Sequence, residues 1–204
     1  MTDKQIEKIR LAIRMNRAAL TAEKRKLGGF DDSVGRRYYI SDLYMRISDY
    51  KGAITYKKWF DKNFPDDIGG PLLSINWSIA YFELGQLTDT KIYTIDTAFH
   101  NVYLHGLLLD RVISRIDMYE NGYDTLEFAK SMVKDCKKVI TRPYLDWLKA
   151  FIDTDEYKNP VNKYIALNKL LKDEHNFEKR SVLVGYMSEL ENMNKNSTRS
   201  RDII

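Results

Sequence analysis

Cysteine is nearly absent from this chain of 204 residues, because Cys136 is the only one. A single cysteine excludes an intramolecular disulfide and favours a reducing compartment. Long hydrophobic runs are also missing, and none approaches the roughly 18 residues that a membrane-spanning helix needs. The opening MTDKQIEKIR has charges where a secretory signal would have its apolar core. These absences predict a soluble, cytoplasmic protein that does not bind a membrane.

Proline and glycine are few, with four and ten residues respectively. Long structureless segments are therefore not expected within the main body of the chain. Residues 195–204 differ from the rest, since they are polar and charged with almost no apolar residues. Such a composition cannot bury enough apolar surface to offset the entropy of ordering, so this tail is predicted to be disordered.

Motifs that carry enzymatic or metal chemistry are missing too. The three histidines form no His-Glu-x-x-His motif, and the chain contains neither a Cys-x-x-Cys pair nor a glycine-rich phosphate loop. Asp96 and His100 are four residues apart, whereas His105 falls off that helix face. Asp153 to Glu156 lack the glycine and terminal glutamate of a calcium loop. We therefore expect structural histidines, no metal, no cofactor and no catalytic activity.

Positive charge is concentrated at the start of the chain. Residues 1–37 contain ten Lys or Arg against five Asp or Glu, whereas the remaining residues contain 23 against 24. This excess indicates either the solvated face of a surface helix or a binding site for nucleic acid or an acidic partner. The basic residues do not all share one helix face. The candidate nucleic-acid residues are Arg10, Arg14, Arg17, Arg36 and Arg37.

The hydrophobic periodicity predicts an all-α protein without strands. A first amphipathic helix is marked by a stripe from Ile6 to Leu27 and a glycine stop at Gly28. Later segments include a long apolar helix over 104–120, a break at 153–160, and helices over 161–172 and 177–193. The predicted organisation is a basic helix over 1–29 packed on the body, a helical-hairpin domain over 36–194, and the tail.

Small residues and turn residues recur with one period. Ser41, Ser78 and Ser114 are separated by 37 and 36 residues. Tyr50, Leu87 and Tyr123, which follow predicted turns, show the same two separations. Two independent series with one period indicate an internal repeat of helical hairpins, each of which buries its free face by stacking on a neighbour.

The repeat resembles the tetratricopeptide repeat, a helix–turn–helix unit of about 34 residues. In the first copy the matching residues are Ser41, Tyr44, Ile47, Asp49, Tyr50, Ala53, Ile54 and Pro65. In the second they are Trp77, Ser78, Ala80, Tyr81, Leu84, Gly85 and Leu87. The resemblance covers residues 40–125 and departs from the family at Phe60, Thr90 and Asp117. It implies stacked antiparallel hairpins in a right-handed superhelix, with an irregular helical bundle as the alternative.

In the family that the chain resembles, the first helices of successive units line a concave groove for a protein or peptide. Carried over to this chain, the groove residues are Tyr38, Asp42, Met45, Ile75, Ile79, Phe82, Arg111, Arg115 and Met118. Arg111 and Arg115 are four residues apart, so on a helix they would share a face and could clamp a carboxylate or phosphate. The alternative is that they pair with Asp110, Asp117 or Glu120. For Ile79 and Phe82, the alternative role is plain core packing.

The predicted function is therefore non-catalytic binding of a protein or peptide, as an adaptor, regulator or inhibitor. The alternative is nucleic-acid binding through the basic first helix. Self-association into a homodimer stays open.

Overall fold

Helices are the only regular secondary structure in the residues described by the computed structural model, which are 1–30, 32 and 34–196. The all-α prediction is confirmed for this part of the chain. The helices are α1 Asp3–Leu27, α2 Arg36–Arg46, α3 Tyr50–Asn63, α4 Pro71–Glu83, α5 Leu87–His100, α6 Leu104–Leu108, α7 Leu126–Cys136, α8 Arg142–Phe151, α9 Asp155–Asp173 and α10 Phe177–Asn196.

The chain divides into two compact units, Met1–Gly69 and Gly70–Ile204. Unit 1 contains α1 to α3, and unit 2 contains the helices from α4 onward. The predicted domain boundary after residue 29 falls inside unit 1, and the predicted repeat domain contains the division between the two units. The predicted disordered tail lies outside the described residues from position 197 onward, while α10 continues to Asn196.

The ends of α1 follow from local sequence. Thr2 and Gln5 form a capping box, in which the Thr2 hydroxyl accepts from the Gln5 amide and the Gln5 side chain accepts from the Thr2 amide. Gly28 stops the helix in the left-handed region with φ of 74°. Only Ile13 and Leu20 are buried along α1, and Leu27 is 57% exposed, so the predicted apolar stripe is not buried as far as its end.

Unit 1 is built on the hairpin of α2 and α3. Its core contains Ile40, Leu43, Tyr56 and Phe60, all nearly inaccessible to solvent. The Tyr56 hydroxyl donates to the Arg37 carbonyl at 2.8 Å, so this buried ring keeps a partner for its polar atom.

Unit 2 is centred on the hairpin of α4 and α5, against which the later helices pack. A buried polar network ties three of its helices together. The Ser78 hydroxyl lies 2.6 Å from the Thr94 hydroxyl and 2.9 Å from the Tyr144 hydroxyl. All three residues are fully buried, and their mutual bonds offset the cost of removing the hydroxyls from water.

The turns of the two hairpins have the same backbone conformation, 37 residues apart. Asp49 and Gln86 precede the second helix of each hairpin with φ, ψ of −87°, 71° and −90°, 70°. The residue before each adopts a positive φ, 54° at Ser48 and 73° at Gly85. A shared turn conformation at the predicted spacing accounts for the first two copies of the sequence pattern.

Side-chain packing repeats with the same offset. The Tyr44 and Tyr56 rings of the first hairpin lie 6.1 Å apart, and the Tyr81 and Tyr93 rings of the second lie 5.4 Å apart. Each pair joins the first helix of its hairpin to the second. The pairs therefore occupy equivalent positions in the two hairpins.

The predicted helix over 104–120 is wrong. Helix α6 ends at Leu108, Asp110 takes a positive φ of 55°, and the following residues to 125 are irregular. Ser114 is exposed there, unlike the buried Ser41 and Ser78 of the hairpins. Backbone amides of this segment find partners outside a helix, as when Ile116 donates to the Tyr103 hydroxyl at 3.0 Å. The third copy of the repeat is therefore not a helical hairpin.

The predicted break at 153–160 is present but shorter than expected, since only residues 152–154 separate α8 from α9. Helix α9 begins at Asp155, where the Thr154 hydroxyl accepts from the Tyr157 amide as an N-cap. Pro160 lies inside the helix and removes one amide donor. The cap and the burial of Tyr157 and Val161 outweigh that local cost.

Candidate protein-binding surface

A groove of about 320 Å³ lies between α5, α9 and α10 in unit 2. Its walls carry aliphatic side chains with polar residues at the rim, which is the usual composition of a site for an amphipathic ligand. The apolar lining residues are Ile92, Ile95, Pro160, Leu190 and Met193.

The polar rim of the groove is partly paired. Lys91 Nζ lies 2.7 Å from Glu156 Oε2, which links α5 to α9. Asn194 Nδ2 donates to the Ile92 carbonyl at 3.0 Å and ties the end of α10 to α5. Lys163 also lines the groove and forms no ion pair with the described residues. One cation is thus available to an acidic group on a ligand.

Helix α10 exposes large apolar side chains beside this groove. Val182, Tyr186 and Met193 are 53%, 54% and 70% exposed, and their spacing of four and seven residues places them on one flank of the helix. We call these three residues the apolar strip. Because Met193 also lines the groove, the strip and the groove form one continuous apolar surface.

A polar cluster anchors the same end of α10 on α5. Lys195 Nζ lies 3.7 Å from Asp96 Oδ1, and the other Asp96 oxygen lies 3.7 Å from His100 Nδ1. Burial raises the pKa of Glu191 on α10, the charge of Lys195 lowers it, and that of Asp96 raises it further. Asp96 and His100, four residues apart in the sequence, thus lie side by side on α5. The contact between Asp96 and Lys195 holds the end of α10 against α5.

The histidine of this cluster does not have the geometry of a nucleophilic triad. Ser74 Oγ lies 3.0 Å from His100 Nδ1, the same nitrogen that the Asp96 carboxylate approaches. A triad requires the nucleophile and the carboxylate at opposite ring nitrogens, so that one holds the tautomer while the other gives up its proton. Within the described residues, no group of three His, Cys, Asp or Glu side chains could hold a metal ion.

His105 lies in the core rather than at this surface. Its Nδ1 is 2.9 Å from the Tyr157 hydroxyl, and its Nε2 has no partner among the described residues. Burial lowers the pKa of His105 to about 3, so the ring is neutral at physiological pH.

Several residues predicted to line the concave groove are instead buried. Phe82 is half-buried, with its ring 5.5 Å from both Tyr144 and Trp147. The remaining four are at most 7% exposed, so in this structure they pack inside the protein and cannot touch a partner: Met45, Ile75, Ile79 and Met118.

The other predicted groove residues are engaged in local contacts. Tyr38 is 37% exposed and donates its hydroxyl to Asp67, and Asp42 is half-buried. Arg111 pairs with Asp153 at 2.8 Å and Arg115 pairs with Glu120 at 2.5 Å. Because both arginines lie in the irregular segment, they do not share a helix face as expected. For Arg115 the structure shows the predicted alternative, a surface ion pair.

The five candidate nucleic-acid arginines differ in how far internal contacts neutralise them. Three form ion pairs, Arg10 with Glu7, Arg36 with Glu23, and Arg37 with both Asp32 and Asp67. Arg17 donates to the Tyr44 hydroxyl at 3.3 Å and lies over the Tyr56 ring. Arg14 is exposed and forms no ion pair with the described residues.

The sequence of α10 contains apolar residues on more than one flank of the helix, and periodicity alone does not single out the apolar strip among them. Apolar residues occur around much of the circumference of α10, since the half-buried Leu183 and Met187 alternate with the exposed Val182 and Tyr186. A surface helix normally shows a single apolar stripe, so apolar residues on a second flank indicate a second contact surface.

A comparison with protein-family models, curated proteins and solved structures finds no match for this chain. None of the described helices combines the length and the apolarity needed to cross a membrane.

Proposed function

We propose that this chain is a non-catalytic protein-recognition module. The observation that carries the proposal is the apolar strip on α10, which is continuous with the groove between α5, α9 and α10. Exposed apolar surface bordered by polar residues is typical of protein interaction sites. Tyr186 and Met193 suit this role because large aromatic and flexible thioether side chains bury much area in a partner pocket.

The shape of the site favours an amphipathic helix of another protein as the ligand. The groove and the strip run beside one another along helices, and such grooves bind apolar residues spaced three, four and seven positions apart. The ion-pair-free Lys163 at the rim favours an acidic residue on the polar side of that ligand. Binding of a partner helix at this one surface would be sufficient for a role as an adaptor, a regulator or an inhibitor.

We also propose that the two hairpins are divergent copies of a tetratricopeptide-like unit. Support comes from the shared turn conformation and the equivalent tyrosine pairs, both at an offset of 37 residues. A right-handed superhelix of such units belongs to the same proposal. The irregular segment after α6 means that a regular repeat would be limited to these two copies.

The test is affinity capture from a lysate of the native cell, with and without nuclease, followed by binding measurements on the purified partner. The strip variant carries Val182→Ser, Tyr186→Ser and Met193→Gln. Losing three exposed anchors should weaken binding by about 100-fold, since each contributes about 1 kcal/mol. A matched control changes three exposed apolar residues of α1: Leu11→Gln, Met15→Gln and Leu27→Gln.

Each outcome bears on the proposal. A nuclease-resistant partner that binds the control variant but not the strip variant supports it. A partner that binds both variants equally contradicts the assignment of the surface. Concentration-dependent self-association that the strip variant abolishes would instead identify the ligand as a second copy of this chain.

A further inference from the structure

The excess positive charge of the protein belongs entirely to unit 1. Residues 1–69 contain 15 Lys or Arg against 10 Asp or Glu, whereas residues 70–204 contain 18 against 19. A local excess of this kind attracts polyanions at long range. Its effect depends on where the unpaired cations lie.

The acidic residues of unit 1 are largely used in internal contacts. Glu7, Glu23 and Asp61 pair with Arg10, Arg36 and Lys57, while Asp32 and Asp67 both pair with Arg37. Several exposed basic residues consequently form no ion pair with the described residues of the chain. They include Arg14, Arg25, Lys26, Lys51, Lys58 and Lys62.

Aromatic rings lie between α1 and α3 beside these cations. The Tyr56 and Trp59 rings of α3 stack at 5.4 Å with an interplanar angle of 22°. Phe30 packs on Trp59 at 5.8 Å and on Phe64 at 4.6 Å. Trp59, Phe30 and Phe64 are only half-buried, so part of this aromatic surface stays accessible.

Basic side chains from α1 reach over the same rings. Arg17 lies 5.9 Å from the centroid of Tyr56, and Lys24 lies 4.9 Å from that of Phe30. Lys24 Nζ also donates to Asn63 at 3.0 Å, which holds the end of α1 beside α3. Arg14 lies one turn before Arg17 on α1, so it extends this row of cations.

Lysines of α3 form a second row beside the rings. Lys51, Lys58 and Lys62 are spaced by seven and four residues, so they share one exposed flank of the helix. Lys58 and Lys62 lie on the same side of Trp59 around the helix, the side away from Tyr56. The half-buried rings are therefore bordered by basic residues of α1 on one side and of α3 on the other. We call this arrangement the basic aromatic cleft.

We propose that the basic aromatic cleft of unit 1 binds single-stranded nucleic acid. Cations in two rows match the phosphates of a strand, and half-exposed aromatic rings between them offer stacking surfaces to unpaired bases. Stacking tolerates any base because every base has a π face, so the site binds without strong sequence preference. DNA and RNA strands share this chemistry, and the site belongs to unit 1, whereas the apolar strip belongs to unit 2.

The test measures fluorescence anisotropy of labelled mixed-sequence oligonucleotides, one DNA and one RNA, with the full chain. Each phosphate contact of a single strand contributes about −0.7 to the slope of log binding constant against log salt concentration. A strand that engages about five cations should therefore show a slope of about −3.5. Raising salt from about 50 to 200 mM then weakens binding by about 100-fold. Equal affinity for both strands indicates recognition of phosphate and base, whereas preference for RNA indicates a contact to the 2′-hydroxyl.

The diagnostic variant combines Arg14→Gln, Lys58→Gln and Lys62→Gln, all at exposed positions where folding is not at risk. We expect at least a tenfold loss of affinity and a salt slope smaller by about 2. The matched control removes three exposed lysines from unit 2: Lys130→Gln, Lys134→Gln and Lys149→Gln. The control should bind like the unmodified protein.

A second measurement tests base stacking independently of charge. Tryptophan fluorescence should be quenched when the oligonucleotide binds, and Trp59→Phe should remove that quenching while keeping an aromatic ring and most of the affinity. Quenching that persists in this variant would exclude Trp59 as a stacking platform.

Three outcomes would overturn the proposal. The first is absence of binding to either strand at about 50 mM salt, where electrostatic attraction is strong. The second is equal loss of affinity in the diagnostic and control variants, which would mean that the cleft has no special role. The third is binding to vesicles with anionic headgroups but not to oligonucleotides, which would assign the basic surface to a membrane.

Discussion

Replacing Gly85 by alanine should destabilise unit 2, whereas the same replacement at Gly185 should stabilise it. The two positions are matched for steric effects, because an added Cβ has no atom within 4 Å at either site. They differ in backbone conformation. Gly85 has φ of 73° in the hairpin turn, while Gly185 lies inside α10 without a positive φ.

The magnitudes follow from the backbone alone. A residue with a Cβ costs about 1–2 kcal/mol in the left-handed region. Reduced entropy of the unfolded chain returns about 0.4–1 kcal/mol, so Gly85→Ala should lower the free energy of unfolding by about 1 kcal/mol. Within a helix, alanine is favoured over glycine by about 0.5–1 kcal/mol, so Gly185→Ala should raise the free energy of unfolding by that amount.

Urea denaturation followed by circular dichroism measures both changes on the same unit. The two midpoints should move in opposite directions with unchanged m-values. The equivalent turn residue of unit 1 offers a further check, since Ser48 has φ of 54° and Ser48→Gly should be neutral or stabilising by a few tenths of a kcal/mol. If both alanine variants shift in one direction, the turn conformation assigned to Gly85 is wrong.

Two further predictions concern a buried histidine and the helix caps. Burial lowers the folded-state pKa of His105 to about 3, so between pH 6.5 and pH 3 the ring is protonated only in the unfolded chain. The free energy of unfolding is therefore highest above pH 6.5 and decreases as the pH falls toward 3. By pH 4.5 about 2–3 kcal/mol should be lost, and His105→Gln should flatten this part of the stability–pH curve measured by urea titration. Asp49 caps α3 by accepting from the Gly52 amide at 2.9 Å, so Asp49→Ala should cost about 1 kcal/mol. Gln86, its equivalent before α5, makes no side-chain cap, so Gln86→Asp should raise the thermal midpoint, and an unchanged midpoint would contradict the equivalence of the turns.

The elements that were predictable from sequence are those decided within a few residues. The stop of α1 at Gly28 and the turns that lead into Asp49 and Gln86 follow from local hydrogen bonds and backbone preference. The all-α class follows from periodicity for the same reason. Function, the location in the cytoplasm and the superhelix stay predictions, because they depend on partners and on long-range packing.

The wrong assignments arose where distant contacts outweighed local preference. The segment after Leu108 has apolar residues at helical spacing, yet it is irregular because its amides and side chains bond to Tyr103 and to the Asn168 carbonyl of α9. Pro160 suggested a break, yet α9 continues through it. Likewise, a repeat pattern cannot tell a groove-lining Ile79 from a core Ile79, because exposure is decided by the neighbours that pack on that face.

By itself the sequence determined the all-α class, the stop of α1 at Gly28, the two hairpin turns and the concentration of positive charge at the start of the chain. Each of these features depends on residues close together along the chain, so its physical cause can be recognised without knowledge of the tertiary structure. Only the tertiary structure decided which apolar residues stay exposed on α10 and which cations remain unpaired beside the aromatic rings of unit 1. Exposure and pairing are properties of residues far apart in sequence, and they exist only once the helices have packed.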